Sequence, residues 1–185
     1  SGSSNGQVMV WENYRGFITQ KRLHFRKLSG LNFIEEGKTL VSSAGDGKIV
    51  FWDSRTLDKK EEFDAHNRPI TSFDVNEQND LLVTASLDKT IKVWSLKSQT
   101  LLHTFDNSQA VTPLSKINEP VQTLAVSPDG NTVATSSFKE AFLTDKIKSK
   151  DNVIKIWDLQ RKDLYKVLEG KSTAVNTFAF HPDFG

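Results

Sequence analysis

Four tryptophans set the strongest constraint on this chain. They stand at positions 11, 52, 94 and 157, separated by 41, 42 and 63 residues. Each is preceded by alternating apolar residues: Val8 and Val10, Ile49 and Phe51, Ile91 and Val93, Ile154 and Ile156. Period-two alternation predicts a half-buried strand. Six residues before each tryptophan stands a polar turn former, Asn5, Asp46, Asp88 or Asp151. The second lies in Gly45-Asp46-Gly47, a tight-hairpin signal. A strand entered from a turn thus recurs about every 42 residues, which predicts a repeat architecture whose neighbouring units share a core.

The two middle units agree further upstream. His24 precedes Asp46 by 22 residues and Trp52 by 28, and His66 precedes Asp88 and Trp94 by the same intervals. Ser127-Pro128-Asp129-Gly130 and His181-Pro182-Asp183 read as turns after strands. With Trp52-Asp53, Trp157-Asp158 and the degenerate Trp94-Ser95, the chain resembles the WD-repeat β-propellers over nearly its whole length. The resemblance implies an all-β fold of four-stranded antiparallel blades around a channel. It also implies a hydrogen-bonded set in each blade, made of a His, a second-strand Ser or Thr, the hairpin Asp and the Trp. Carried over, one set is His66, Asp88 and Trp94 with Thr84 or Ser86, and the other is His24, Ser42, Asp46 and Trp52. A buried charge-assisted bond of this kind contributes roughly 1.5–3 kcal/mol, so these residues read as scaffolding. Four residues before Val121 and Val175 stand Ile117 and Lys171 in place of His. The blades holding Asp151 with Trp157 and Lys171 are therefore expected to lack the full set and to be held more loosely.

Strands are expected near 7–11 and 16–22, then 28–34, 39–44, 48–53 and 60–64, then 69–75, 80–86, 90–95 and 100–105, with a further blade over 120–168 and a first strand at 174–180. The resulting divisions are 1–27, the end of a partial blade; 28–64, a blade; 65–105, a blade; 106–168, a blade with two insertions; and 169–185, the start of a partial blade. These amount to about four blade equivalents of a seven- or eight-bladed ring, since seven blades need about 300 residues. The rest of the ring is expected from a longer polypeptide, or from a second copy. Joining one chain's end to another's beginning would set Trp157 and Trp11 39 residues apart, near the normal spacing.

The excess between Trp94 and Trp157 falls in two places, 106–119 and 138–150. In the family both positions open on the top face, and loops on a rigid scaffold concentrate binding residues. Phe138, Lys139, Phe142, Lys146, Lys148 and Lys150 in the second insertion, with Arg68 and Lys171 on connections to the same face, are the candidate partner contacts. A basic run of Lys21, Arg22, His24, Arg26 and Lys27 enters the first full blade.

Composition prunes the function classes. Cysteine is absent, which excludes disulfides, thiolate metal sites and cysteine nucleophiles. Of the charged residues, 24 are Lys or Arg and 23 Asp or Glu, so the whole surface does not suit nucleic acid. No apolar run approaches the roughly 20 residues of a membrane helix, and the Gly45-Asp46-Gly47 turn precedes a strand, not the helix a phosphate loop requires. No catalytic or cofactor motif is present, so the expected protein is a non-enzymatic, cofactor-free scaffold. It would act in the cytoplasm or nucleus, hold other proteins in a complex, and make its contacts around 106–119 and 138–150. The alternatives are an RNA- or phosphate-associated propeller using residues 21–27, or the sensor module of a larger effector or ATPase protein; nucleic acid is the less favoured partner.

Overall fold

The structure, a computed structural model, describes residues 2–12, 16–108, 120–139, 151–170 and 175–181. Fourteen strands are assigned among them: β1 Gln7–Glu12, β2 Gly16–Arg22, β3 Leu28–Ile34, β4 Thr39–Ala44, β5 Lys48–Asp53, β6 Lys59–Asp64, β7 Ile70–Asn76, β8 Leu81–Ser86, β9 Thr90–Ser95, β10 Leu101–Asp106, β11 Val121–Val126, β12 Thr132–Lys139, β13 Asp151–Asp158 and β14 Asp163–Gly170. They form three four-stranded sheets in sequential order, β3 to β6, β7 to β10 and β11 to β14, with β1 and β2 as a two-stranded piece. This is an all-β chain of about four WD-type blade equivalents. Among the described residues no helix is long and apolar enough to cross a membrane.

The chain divides into two compact units, Ser1–Thr71 and Ser72–Gly185, with the boundary inside β7. In the first unit a core gathers Val8, Leu23, Leu40, Val50, Trp52 and Leu57. Alternation on β1 turns Val8 toward Trp52 of the following blade, so neighbouring blades share one apolar layer. In the second unit Val83, Ala85, Ile91, Val93 and Phe105 pack with Val121, Leu124, Val133 and Trp157. The rings of Phe105 and Trp157 meet at 5.0 Å between centroids.

A polar seam accompanies that second core. Alternate residues of β7 face one side, where Ser72 Oγ accepts from the Leu124 N–H at 3.3 Å and Asp74 Oδ2 from the Val126 N–H at 2.9 Å. Asn76 Nδ2 donates to the carbonyls of Ser127 and Pro128, both at 3.0 Å. The first two bonds satisfy edge groups of β11 that its own sheet leaves open, and the Asn76 pair serves the turn that follows it.

Every tryptophan also marks a bulge. Trp11, Trp52, Trp94 and Trp157 each pair across a register slip with the outer strand of the blade. The slip sharpens the local twist, and at Trp52, Trp94 and Trp157 the indole turns into the core there.

Two expectations change. Among the described residues 175–180 no strand forms, because extended chain becomes a strand only with a partner to complete its hydrogen bonds. Strands β12 and β13 also run further into the second insertion than expected: Phe138 pairs with Asn152 and Lys139 with Asp151. Asp151 therefore lies in a strand and not in a turn, because the longer connection lets the ladder continue before the chain must reverse.

Candidate functional site: the tryptophan sets and the loop face

The structure brings His24, Ser42, Asp46 and Trp52 together. Trp52 Nε1 donates to Ser42 Oγ at 2.8 Å, Ser42 Oγ meets His24 Nε2 at 2.7 Å, and His24 Nδ1 meets Asp46 Oδ2 at 2.8 Å. The Ser42 hydroxyl links the indole N–H to the imidazole, and His24 Nδ1–H donates to the Asp46 carboxylate. Each bond polarises the next in an interior of low dielectric. Asp46 Oδ1 is also used, accepting from the Lys48 N–H at 3.1 Å. Burial pushes the Asp46 carboxyl up, but the hydrogen bond and charge of His24 outweigh it and hold the group below the usual carboxylate range. The chain of bonds is saturated, so it stiffens the blade and leaves no group for chemistry.

Around Trp94 the open choice of partner resolves into two roles. Trp94 Nε1 donates to Thr84 Oγ1 at 3.0 Å, while Ser86 Oγ accepts from the Asp88 N–H at 3.0 Å. Asp88 Oδ1 in turn accepts from the Thr90 N–H at 2.9 Å, as Asp46 does from Lys48 and Asn5 from the Gln7 N–H at 3.2 Å. His66 is buried within the first unit.

The blade without a His has a second-strand partner all the same. Trp157 Nε1 donates to Thr135 Oγ1 at 2.9 Å, a pairing that the insertion disguises by lengthening the sequence interval. Two residues that sequence reasoning missed complete this blade. Asn107 is buried and donates from Nδ2 to Ser137 Oγ at 2.9 Å, and the buried Lys155 ammonium donates to the Asn107 carbonyl. The signal was faint: Asn107 follows β10 as Ala65 follows β6, and Lys155 sits two before Trp157 as Lys92 sits two before Trp94.

The aspartate of the Trp-Asp dipeptide caps a turn. Asp53 Oδ1 accepts from the N–H groups of Arg55 and Thr56, both at 3.0 Å, and Asp158 Oδ1 from those of Gln160 and Arg161 at 2.9 and 2.8 Å. Ser95 does the same work with its hydroxyl, accepting from the Ser98 N–H at 3.2 Å. That explains how Trp94-Ser95 fits the pattern.

Of the candidate partner contacts, Phe142, Lys146, Lys148, Lys150 and Lys171 lie outside the described residues, as does nearly all of 106–119. Phe138 and Lys139 stand in β12, not in a loop, and Arg68 is exposed on the connection after β6. The basic run divides. Lys21 Nζ binds Asp58 at 3.2 Å and the Leu57 carbonyl at 3.1 Å, and Arg22 Nε donates to the His24 carbonyl at 3.3 Å. His24 is buried in its set, so within this run Arg26 and Lys27 are the exposed cations with neither an ion pair nor a side-chain hydrogen bond among the described residues. No group of three or more His, Cys, Asp or Glu residues able to hold a metal ion occurs among the described residues.

Three stretches, 19–53, 58–95 and 101–158, match the family model described as "WD domain, G-beta repeat". The chain belongs to the WD40-repeat family. Its WD40 repeats are 26% identical over 181 residues to the Periodic tryptophan protein 2 homolog of Caenorhabditis elegans, covering 96% of this chain and 18% of that protein. They are 27% identical over 192 residues to Mitochondrial division protein 1 of Kluyveromyces lactis, covering 95% and 26%. Cilia- and flagella-associated protein 337 B of Tetrahymena thermophila is 28% identical over 140 residues, covering 72% and 11%. The chain thus spans about a quarter or less of the length of these relatives.

Proposed function

We propose that these WD40 repeats form part of a non-enzymatic scaffold that holds protein partners in a complex, with contacts made by the two insertions of the blade β11 to β14. The register of that blade supports the reading. Val121 lies opposite Ser137, and Lys139 opposite Asp151, so the start of β11, the end of β12 and the start of β13 share one end of the sheet. Both insertions therefore leave from the same edge of a rigid support, as paired binding loops do. The saturated set of His24, Ser42, Asp46 and Trp52 speaks for a structural use of its buried polar residues, as a scaffold requires.

The test is to replace residues 140–150 of the full-length polypeptide with an Asn-Gly hairpin turn. Folding, followed by circular dichroism, should be retained and co-purification of partners lost. Unchanged co-purification would sink the assignment.

A further inference from the structure

The most exposed large apolar side chain among the described residues is Phe25, at 87%. It stands in the connection between β2 and β3, within one compact unit. Several bonds pin this connection. Leu23 and His24 N–H groups donate to the Gly6 carbonyl at 2.9 and 3.3 Å, the Gly45 N–H donates to the Lys27 carbonyl at 2.9 Å, and the His24 ring is anchored beneath by Ser42 and Asp46. Between these anchors Phe25 and Arg26 point to solvent. The Arg22 guanidinium lies 5.6 Å from the Phe25 ring centre, a cation–π arrangement that favours one ring orientation.

Charge around Phe25 is one-sided. The Arg26 side chain crosses Gly45, whose hydrogen points at it where a β-carbon would come within 3.3 Å of Arg26 Cβ. Neighbouring carboxylates are already engaged, Asp46 by His24 and Asp64 by Lys48 at 3.3 Å. Arg26 and Lys27 thus stand beside an exposed aromatic ring with no acid answering them among the described residues. Loop side chains held rigid before binding lose little entropy on contact. An apolar ring flanked by uncompensated cations fits an apolar residue set among carboxylates.

We propose that Phe25, Arg26 and Lys27 form a docking site for an acidic peptide segment of a partner protein. Phe25 takes an apolar side chain of the peptide, and the two cations take carboxylates beside it. These residues belong to a different connection from the two insertions, so the two assignments stand or fall independently. A nucleic acid is disfavoured by the count of available charges. Two free cations answer a pair of carboxylates, whereas nucleic-acid sites commonly neutralise about 6–10 phosphates, and Lys21 and Arg22 are occupied within the fold.

The test measures fluorescence anisotropy of a fluorescein-labelled peptide of about twelve residues, rich in Asp and Glu around a central Leu-Phe pair, titrated with the full-length polypeptide. Two controls are the same peptide with Lys for each acid and an oligouridylate of equal length. Saturable binding of the acidic peptide alone is expected, weakened about tenfold or more by Phe25→Ser and by Arg26→Glu. Both side chains are exposed, so thermal unfolding should not move; Lys27→Glu serves as a second charge variant should Arg26→Glu unfold the chain. The proposal is overturned if the acidic peptide binds no better than its Lys counterpart. It is also overturned if the folded variants bind like the parent, or if the oligouridylate binds more tightly and loses affinity in the same variants, which would give the surface to RNA.

Discussion

Lys155 is the residue whose chemistry departs furthest from its surroundings. Its ammonium is buried, donates to the Asn107 carbonyl and lies 5.7 Å from the Trp157 ring centre. Burial pushes its pKa down from 10.5 to about 8, with the charge of Asp106 opposing the shift. The folded chain therefore gives up this proton near pH 8, while the unfolded chain keeps it to about 10.5. Between those values the unfolded state binds more protons, so stability rises with pH across that window and the penalty of a buried charge applies below it. Lys155→Met keeps the apolar stem and removes the titration. Urea midpoints of the parent should climb between pH 8 and 10, by about 2–3 kcal/mol in unfolding free energy, while those of the variant stay level by comparison. Parallel pH profiles would show that Lys155 is not the group responsible.

At the scale of the hairpin, the residue five before Trp11, Trp52 and Trp94 decides how one blade joins the next. Gly47 and Gly6 both have φ of +81°. The Gly47 carbonyl accepts from the Ala65 and His66 N–H groups, both at 3.0 Å, and a β-carbon on Gly47 would lie 2.2 Å from the His66 carbonyl oxygen. Lys89 occupies the same place in the following blade with φ of +72°, and its carbonyl accepts from the Asn107 N–H at 2.9 Å. The left-handed backbone alone is thus tolerated at a cost of about 1–2 kcal/mol, and at Gly47 close approach adds to it. Gly47→Ala is expected to lower stability by about 3 kcal/mol or more, measured by chemical denaturation; a loss near 1 kcal/mol would mean that the loop relaxes away. The turn was legible in Gly45-Asp46-Gly47 because hairpins are local, and the Trp, Asp and Ser or Thr partners came from the family resemblance that the repeat spacing supported. Lys155, Asn107 and Thr135 were not legible. Their partners lie across a blade or beyond an insertion, where sequence interval no longer reports distance. The strand expected at 174–180 failed for a related reason: alternation records which face is apolar, not whether a pairing strand is present.

At the scale of the whole molecule, burial repeats as a gradient across each complete blade. Every residue of β4 is buried and β5 is buried in its four central residues, whereas β6 is mostly exposed. The next blade repeats this, from β8 and β9 to an exposed β10. The 42-residue period made the blade legible as a unit, and the apolar alternation before Trp52 and Trp94 identified one of its two buried middle strands, β5 and β9, while the more fully buried β4 and β8 carry no such mark. The gradient has a consequence for opening motions. A middle strand is bonded on both sides and packed on both faces, so its amides are released only when the blade opens. An outer strand is bonded on one side only, and its alternate amides face solvent. Hydrogen exchange of the full-length polypeptide should therefore show β4, β5, β8 and β9 slowest. Peptides covering 59–64 and 101–106 should exchange roughly tenfold or more faster. Equal protection of outer and middle strands would mean that each blade opens as one cooperative block and that the outer strand is no weaker than the strand it pairs with.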